Sequence, residues 1–200
     1  MSLAERLRAT LAASPRADAI LRGDSHLDDE DRARDSVDAA VLIPVIDQPR
    51  PGVILTRRTD HLPSHPGQVA FPGGKIDPGD DGPIGAALRE AEEEIALPRG
   101  QVEIVGTTDL YLTGTGFHIT PVIGVVPPDL DLHPEEGEVA AIFEVPFDTL
   151  FDPAGYREHN IEWQGRPRTY HEMYWDDHRI WGVTAAIIIN LAQRMRAAAQ

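Results

Sequence analysis

The sequence predicts a layered α/β or α+β sandwich. Three observations point there. Apolar runs of strand length, separated by Pro- and Gly-containing turns, recur from residue 38 onward. Two strong helical patterns are interleaved with them. The 200 residues are enough for one domain, or one domain with an extension, around a sizeable core.

Residues 3–13 read as a short amphipathic helix, with Leu3, Leu7 and Leu11 at helical spacing between Glu5, Arg6 and Arg8. The run Gly23–Asp35 carries Asp24, Asp28, Asp29, Glu30, Asp31 and Asp35 against Arg32 and Arg34 alone, so it reads as a solvated connector. It lacks the Gly and the terminal Glu of a calcium loop. This divides the chain into 1–36, an N-terminal helical extension with its acidic connector, and 37–200, the main domain. Ala39–Ile46 and Gly52–Arg57 read as strands joined by a turn at Gln48–Pro51. A long loop, Thr59–Pro66, leads to a short extended piece ending at Phe71, then to Pro72-Gly73-Gly74. Pro83–Leu97 is the clearest helix, with Asp80, Asp81 and Pro83 around its first turn and Pro98 beyond its end. Strands are predicted at Val102–Leu112 and Ile119–Val126 around a turn at Thr113–Gly116, and again at Glu138–Val145. A turn of helix follows near Phe147–Leu150. Arg168–Trp175 and His178–Trp181 read as short strands, and Thr184–Arg196 closes the pattern as a helix.

Composition narrows the function. With 42% hydrophobic and 26% charged residues the chain lies in the ordinary globular range. Thirty-three acidic against 18 basic residues give a net charge of −15, which repels nucleic acid and anionic membranes at long range. A small phosphorylated ligand stays compatible with that field if cations gather locally or a metal ion intervenes. Cysteine is absent, which removes disulfides, thiolate chemistry and zinc–thiolate sites. No apolar run approaches the ~18 residues needed to span a bilayer, and Met1–Ala13 shows no signal-peptide core. The expectation is a cytoplasmic protein.

The helix at 83–97 carries an excess of carboxylates. Ile84, Ala87, Leu88, Ala91 and Ile95 form one stripe for a sheet; Glu90, Glu93 and Glu94 border it, and Glu92 lies on the opposite flank. Glu90 and Glu94 are like charges at i,i+4, which costs about 0.2–0.5 kcal/mol. They stand near the helix C-terminus, where the dipole disfavours anions. Arg89 can pair with Glu93 at i+4, but one cation leaves the cluster strongly negative. A divalent metal resolves the conflict: Mg²⁺ takes carboxylate oxygens and completes its shell with water and phosphate oxygens. On the helix alone, a charged surface face accounts for the pattern equally well. Gly73-Gly74 ahead of it allows close backbone approach to a ligand, and Lys75, the single lysine, follows directly.

Gly74-Lys-Ile-Asp-Pro-Gly-Asp80 and Arg89-Glu90-Ala-Glu-Glu93-Glu94-Ile-Ala-Leu97 together resemble the Nudix box. That signature is glycine, five residues, an acidic residue, a spacer, then Arg-Glu-U-x-Glu-Glu-x-Gly-U, with U a bulky aliphatic. Departures are Asp80 in place of Glu, a spacer one residue longer, a small Ala91 at a U position, and Ala96 in place of Gly, so that the helix is expected to end differently. Upstream, Leu62-Pro-Ser-His65-Pro-Gly67-Gln68-Val69-Ala70-Phe71-Pro72-Gly73-Gly74 resembles the coenzyme A pyrophosphatase branch of that family. Asp77-Pro-x-Asp80, the longer spacer and Trp181-Gly182-x-Thr184-Ala185 are similar to that branch as well. The resemblance covers roughly 38 to 193.

The resemblance implies a Nudix-type α/β/α sandwich with a mixed central sheet. It implies a Mg²⁺- (or Mn²⁺-) dependent pyrophosphohydrolase cleaving CoA or its thioesters to adenosine 3′,5′-bisphosphate and (acyl-)4′-phosphopantetheine. Glu90 and Glu94 are then direct metal ligands, Glu93 is a third ligand or the base for the attacking water, and Arg89 holds a carboxylate by a charge-assisted bond. Gly73 and Gly74 bring backbone to the metal site. Lys75 meets a phosphate or is simply an exposed cation. Arg57 and Arg58 are candidates for the diphosphate or the 3′-phosphate, though strand alternation turns at most one of them inward. His65 and Gln68 line the pocket or hold the loop. Tyr111, Phe117 and His118 stack on adenine or pack, and Trp181 and Thr184 pack at a helix start. Two other readings stay open: a Nudix hydrolase of ADP-ribose, dinucleotides or nucleoside triphosphates, and a catalytically silent nucleotide-binding module. Homodimer formation through the N-terminal extension also stays open.

Overall fold

The computed structural model describes residues 1–14, 21–22, 36–163 and 166–198; for 21–22, 163 and 166–168 it describes the backbone alone. In chain order the elements are α1 (Leu3–Ala13), β1 (Leu21–Arg22), β2 (Val37–Ile46), β3 (Gly52–Arg58), β4 (Val69–Ala70), β5 (Gly73–Lys75), α2 (Gly82–Ile95), β6 (Glu103–Thr107), β7 (Tyr111–Leu112), β8 (Phe117–Val126) and β9 (Val139–Pro146). They continue with α3 (Phe147–Leu150), β10 (Arg157–Trp163), β11 (Arg166–Trp175), β12 (His178–Trp181) and α4 (Gly182–Ala197). The acidic run Gly23–Asp35, read above as a connector, lies outside the described residues.

Strands β1 to β9 form one mixed sheet and β10 to β12 a small antiparallel one. The centre of the mixed sheet is the parallel pair β2–β8, in register from Val37↔Phe117 to Ile46↔Val126. Being covered on both faces, β2 reads as a nearly unbroken apolar run rather than an alternating one. Ala40 and Leu42 face α2; Ile43 and Val45 face the opposite layer of α1, α4 and the small sheet. The result is helix, sheet, then helix with small sheet. No helix among the described residues is long and apolar enough to cross a membrane.

One detail of topology sets up the site. Strands β2 and β3 pair only at Val45↔Val53 and Ile46↔Gly52, then part. Residues 69–75 thread the fork: β4 pairs with β3 (Thr56↔Ala70, Arg57↔Val69) and β5 with β2 (Ala39↔Lys75, Val41↔Gly73). The Leu42 N–H, donating to the Pro72 carbonyl at 2.8 Å, fastens the link between them. Gly73 is required there, because a Cβ would stand 2.4 Å from the Ala40 carbonyl oxygen and 2.6 Å from Val41 Cα.

Three sequence expectations are revised. The strand expected at Val102–Leu112 is two strands, β6 and β7; Gly106, at φ +154, interrupts the first as a bulge against β8. Gly73–Lys75, assigned to no element above, forms strand β5. β10 has no counterpart in the reading above, because Arg157-Glu-His-Asn-Ile-Glu offers no apolar face to signal a strand.

Helix α1 is built into the main core. Leu3, Leu7 and Leu11 pack there, Arg8 Nη2 donates to the Ile104 carbonyl at 2.6 Å, and Arg194 Nη2 donates to that of Leu11 at 3.1 Å.

Candidate active site

Helix α2 lies closer to the sheet than its bulky aliphatics alone predict. Its buried residues are Ala86, Ala87, Ala91, Glu94 and Ile95, whereas Ile84 and Leu88 are only partly covered. The inward stripe is thus rotated toward the carboxylates. Small alanines permit a near approach, and Glu94, 7% exposed, is carried under cover with them.

The buried Glu94 carboxylate has thin support: the Gly73 N–H donates to its Oε2 at 3.3 Å. Burial, then the negative charge of Glu90, push Glu94 up to about 8; the Gly73 N–H and Arg58 act in the opposite sense without compensating. Glu90 is also raised, chiefly by burial, against the pull of Arg89. It lies directly over Gly74, where a Cβ would meet its Oε1 at 2.4 Å. Both glycines therefore serve the acids: one donates its N–H to Glu94, the other leaves room for Glu90.

Arg89 is the organising cation. Its Nε and Nη2 take Asp80 in a two-pronged pair at 2.9 and 3.0 Å, Nη1 reaches Glu90 Oε1 and Glu93 Oε2 at 2.9 Å each, and Nη2 also donates to the Lys75 carbonyl at 3.0 Å. The bond to Asp80 holds Arg89 above its ordinary value and Asp80 below its own. An aspartate thus fills the acidic position of the box by pairing with Arg89 across the lengthened spacer. The end of the helix is revised too. Ala96 adopts the left-handed conformation (φ 55, ψ 30), and its N–H and that of Leu97 close back on the Glu92 and Ala91 carbonyls. The helix ends as a glycine would end it, with an alanine in the strained place.

The three glutamates are not gathered alike. Glu90 and Glu94 stand together over β5, but Glu93 is turned out to Arg89, its side chain 58% exposed. Among the described residues no three His, Asp or Glu side chains are already grouped to hold an ion. The donor chemistry nevertheless suits a hard divalent cation. Two carboxylates, one of them buried and only weakly offset by Arg58, are the groups whose ionised form such an ion stabilises.

Arg58 and Arg57 face opposite ways. Arg58 is on the acidic side, where its charge lowers Glu94, and its N–H donates to the Gln68 carbonyl at 3.0 Å. Arg57 alternates to the other face, with its Nε covered and without a partner. Gln68, part-buried, adjoins Gly182, while His65 sits exposed in its loop at φ +54. The Lys75 side chain is exposed at the end of β5. Tyr111 is a buried core residue, and His118 Nδ1 lies 3.4 Å from Asp38. Trp181 is partly exposed with the Arg179 guanidinium 4.6 Å over its ring, and the buried Thr184 hydroxyl donates to the Val69 carbonyl at 2.9 Å.

Glu138 is the acidic neighbour that sequence reasoning missed. Its charge bears on both Glu90 and Glu94. The loop before β9 is pinned there: the Glu135 and His133 N–H groups donate to the Glu94 and Ile95 carbonyls, and Thr59 bonds the carbonyls of Glu138 and Gly137. The sequence signal was only a short acidic run, Glu135-Glu136-Gly137-Glu138, with no spacing to tie it to the helix.

Known proteins bear on this arrangement. A family model described as the NUDIX domain matches residues 37–165. A protein of Enterobacter sp. (strain 638) named "Uncharacterized Nudix hydrolase NudL" is 46% identical over 154 residues, covering 77% of this chain and 80% of its own. One of the same name from Yersinia pestis (strain Pestoides F) is 43% identical over 157 residues, covering 78% and 79%. Among solved structures, a Nudix hydrolase from M. smegmatis, RenU, superposes with a TM-score of 0.49 at 28% identity, over 56% of this chain and 72% of its own.

Proposed function

The chain belongs to the Nudix hydrolase family, and from that premise we propose that it cleaves the diphosphate of coenzyme A or its thioesters, giving adenosine 3′,5′-bisphosphate and (acyl-)4′-phosphopantetheine with Mg²⁺ or Mn²⁺ as cofactor. The observation that carries the substrate reading is a meeting of two distant segments. The stretch Leu62–Gly74 and the helix entry Trp181-Gly182-Val-Thr184 are the parts of the sequence that resemble the CoA branch. They touch through the Thr184 hydroxyl on the Val69 carbonyl and Gln68 against Gly182, and the chain runs on from Val69 to Gly73, whose N–H supports Glu94.

Glu90 and Glu94 would hold the cation, with Glu138 near enough to share its field. A divalent ion held there would supply a Lewis acid for the diphosphate oxygens and would lower the pKa of a water. The protein's own part is positional. Arg89 fixes Glu90 and Glu93 relative to the helix, leaving Glu93, exposed on the outer side, as the base candidate. Arg58, whose charge bears on Glu94, is the candidate for meeting a phosphate, whereas Arg57 is directed to the other face.

Incubation with CoA and with ADP-ribose, side by side in Mg²⁺, tests this reading by product analysis. The expected result is adenosine 3′,5′-bisphosphate and 4′-phosphopantetheine from CoA, with kcat/KM at least about tenfold above that for ADP-ribose, a gap of ~1.4 kcal/mol in transition-state binding. Preference for ADP-ribose would replace the CoA reading with the nucleoside-diphosphate-sugar one.

A further inference from the structure

We propose that Thr59 is a positioning residue of the acidic site: its hydroxyl holds the turn that carries Glu138, and so sets that carboxylate in its place relative to Glu90 and Glu94. This rests on the reading above, in which Glu90 and Glu94 hold a divalent cation, and adds the residue that decides how far Glu138 takes part.

The starting observation is that the turn has no apolar anchor. Residues 135–138 are all exposed, so what fixes them is hydrogen bonding to their neighbours. On one side the end of α2 supplies it: the Glu135 N–H donates to the Glu94 carbonyl at 2.8 Å and the His133 N–H to that of Ile95 at 3.2 Å. On the other side Thr59 supplies it, its N–H donating to the Glu138 carbonyl at 2.9 Å and its hydroxyl to the Gly137 carbonyl at 3.2 Å. No hydrogen bond or ion pair among the described residues holds the Glu138 carboxylate itself. Its place is therefore inherited from the backbone of the turn.

Thr59 reaches that turn because the strand pairing is irregular just before it. Arg57 pairs with Ala141 but Arg58 with Val139, so Ala140 is passed over as a bulge, and Thr59 follows opposite Glu138. The same residue closes the loop at 59–68, its carbonyl taking the Gly67 N–H at 3.4 Å, and His61 Nε2 lies 3.5 Å from its hydroxyl. Thr59 is 6% exposed. Valine would fill that buried space and keep the backbone bonds, losing only the bond to Gly137. The Gly137 carbonyl, in an exposed residue, would turn to water instead, so the loss falls on the position of the turn more than on stability. The charge of Glu138 bears on both Glu90 and Glu94, so a displaced turn changes the field in which a cation is bound there.

Binding of Mn²⁺ alone to the whole protein, followed through the free ion by electron paramagnetic resonance, tests this. Thr59→Val should weaken binding about tenfold, whereas Thr59→Ser, which keeps the hydroxyl, should stay within about twofold of wild type. In a Glu138→Gln background Thr59→Val should change affinity by less than about twofold, because the charge it places is already gone. Wild-type affinity in Thr59→Val overturns the proposal, and so does an equal loss with and without the Glu138 carboxylate. If Thr59→Val does not melt cooperatively, Thr59→Ala takes its place in the same comparison. Glu94→Gln, titrated alongside, keeps the two readings apart. Binding lost in Glu94→Gln but kept in Thr59→Val removes the role of Thr59 alone; binding that Glu94→Gln leaves unchanged removes the cation from these acids, and this proposal with it.

Discussion

Helices α2 and α4 cover opposite faces of one sheet and are composed for different ends. Helix α4 buries Ala185, Ile187, Ile188, Ile189, Leu191 and Ala192, and its single buried polar residue, Thr184, has a short bond to the Val69 carbonyl. Helix α2 buries alanines and one isoleucine, then places Glu94 in the same row with a single 3.3 Å bond from Gly73. Leucine-sized side chains at the alanine positions would lift α2 off the sheet and return Glu94 to water. The α4 face is thus where the fold is held, and the α2 face is where an unfavourably buried carboxyl is held in place. A buried carboxyl raised to about 8 is a local defect in stability, one that a bound cation would relieve on the reading proposed above.

Substitution at the two faces should separate these roles. The largest effect is expected from Glu94→Gln, which should lower Mg²⁺-dependent turnover by about 10³-fold or more, ~4 kcal/mol of transition-state stabilisation, while melting stays cooperative. Its pH behaviour adds a sign. The Glu94 pKa is raised on folding, so between about 4.5 and 8 the folded protein keeps a proton that the unfolded chain has lost. Metal-free wild type should therefore lose stability as pH rises through that window, and Glu94→Gln should lose less. Melts in EDTA at both ends of the window, with parallel slopes for the two proteins, would contradict the burial argument. On the other face, Ile188→Ala should cost about 3 kcal/mol by leaving a cavity, yet the molecules still folded at low temperature should keep wild-type kcat. Urea denaturation and an assay on the same sample measure both, and a fall in kcat matching Glu94→Gln would erase the division between faces. The smallest effect concerns the end of α2. Ala96 is exposed and left-handed, so Ala96→Gly should stabilise by about 0.5–1 kcal/mol, seen as a small rise in Tm without change in activity.

Much of this was legible in the sequence where a pattern repeats or a motif is local. The helix over residues 3–13, the strand after residue 38 and the last helix follow from spacing of apolar residues, and Arg89, Glu90, Glu93 and Glu94 from the resemblance of their segment. What stayed hidden depends on distances between segments. Nothing in the spacing of Glu93 and Glu94 tells that one is exposed on Arg89 and the other buried, since that follows from how far α2 sinks toward β2. The nearness of Glu138 depends on a loop clasped by Thr59, some eighty positions earlier in the chain. Strand alternation did anticipate that Arg57 and Arg58 could not both face one way, but choosing Arg58 required the sheet.

The stretch that threads the fork between β2 and β3 has a mechanical consequence. One margin of it belongs to β3 and the other to β2, with only Phe71 and Pro72 between, so it is laced on both sides and has no slack. The glycines beneath Glu90 and Glu94 thus belong to the hydrogen-bonded sheet and not to the loop that precedes them.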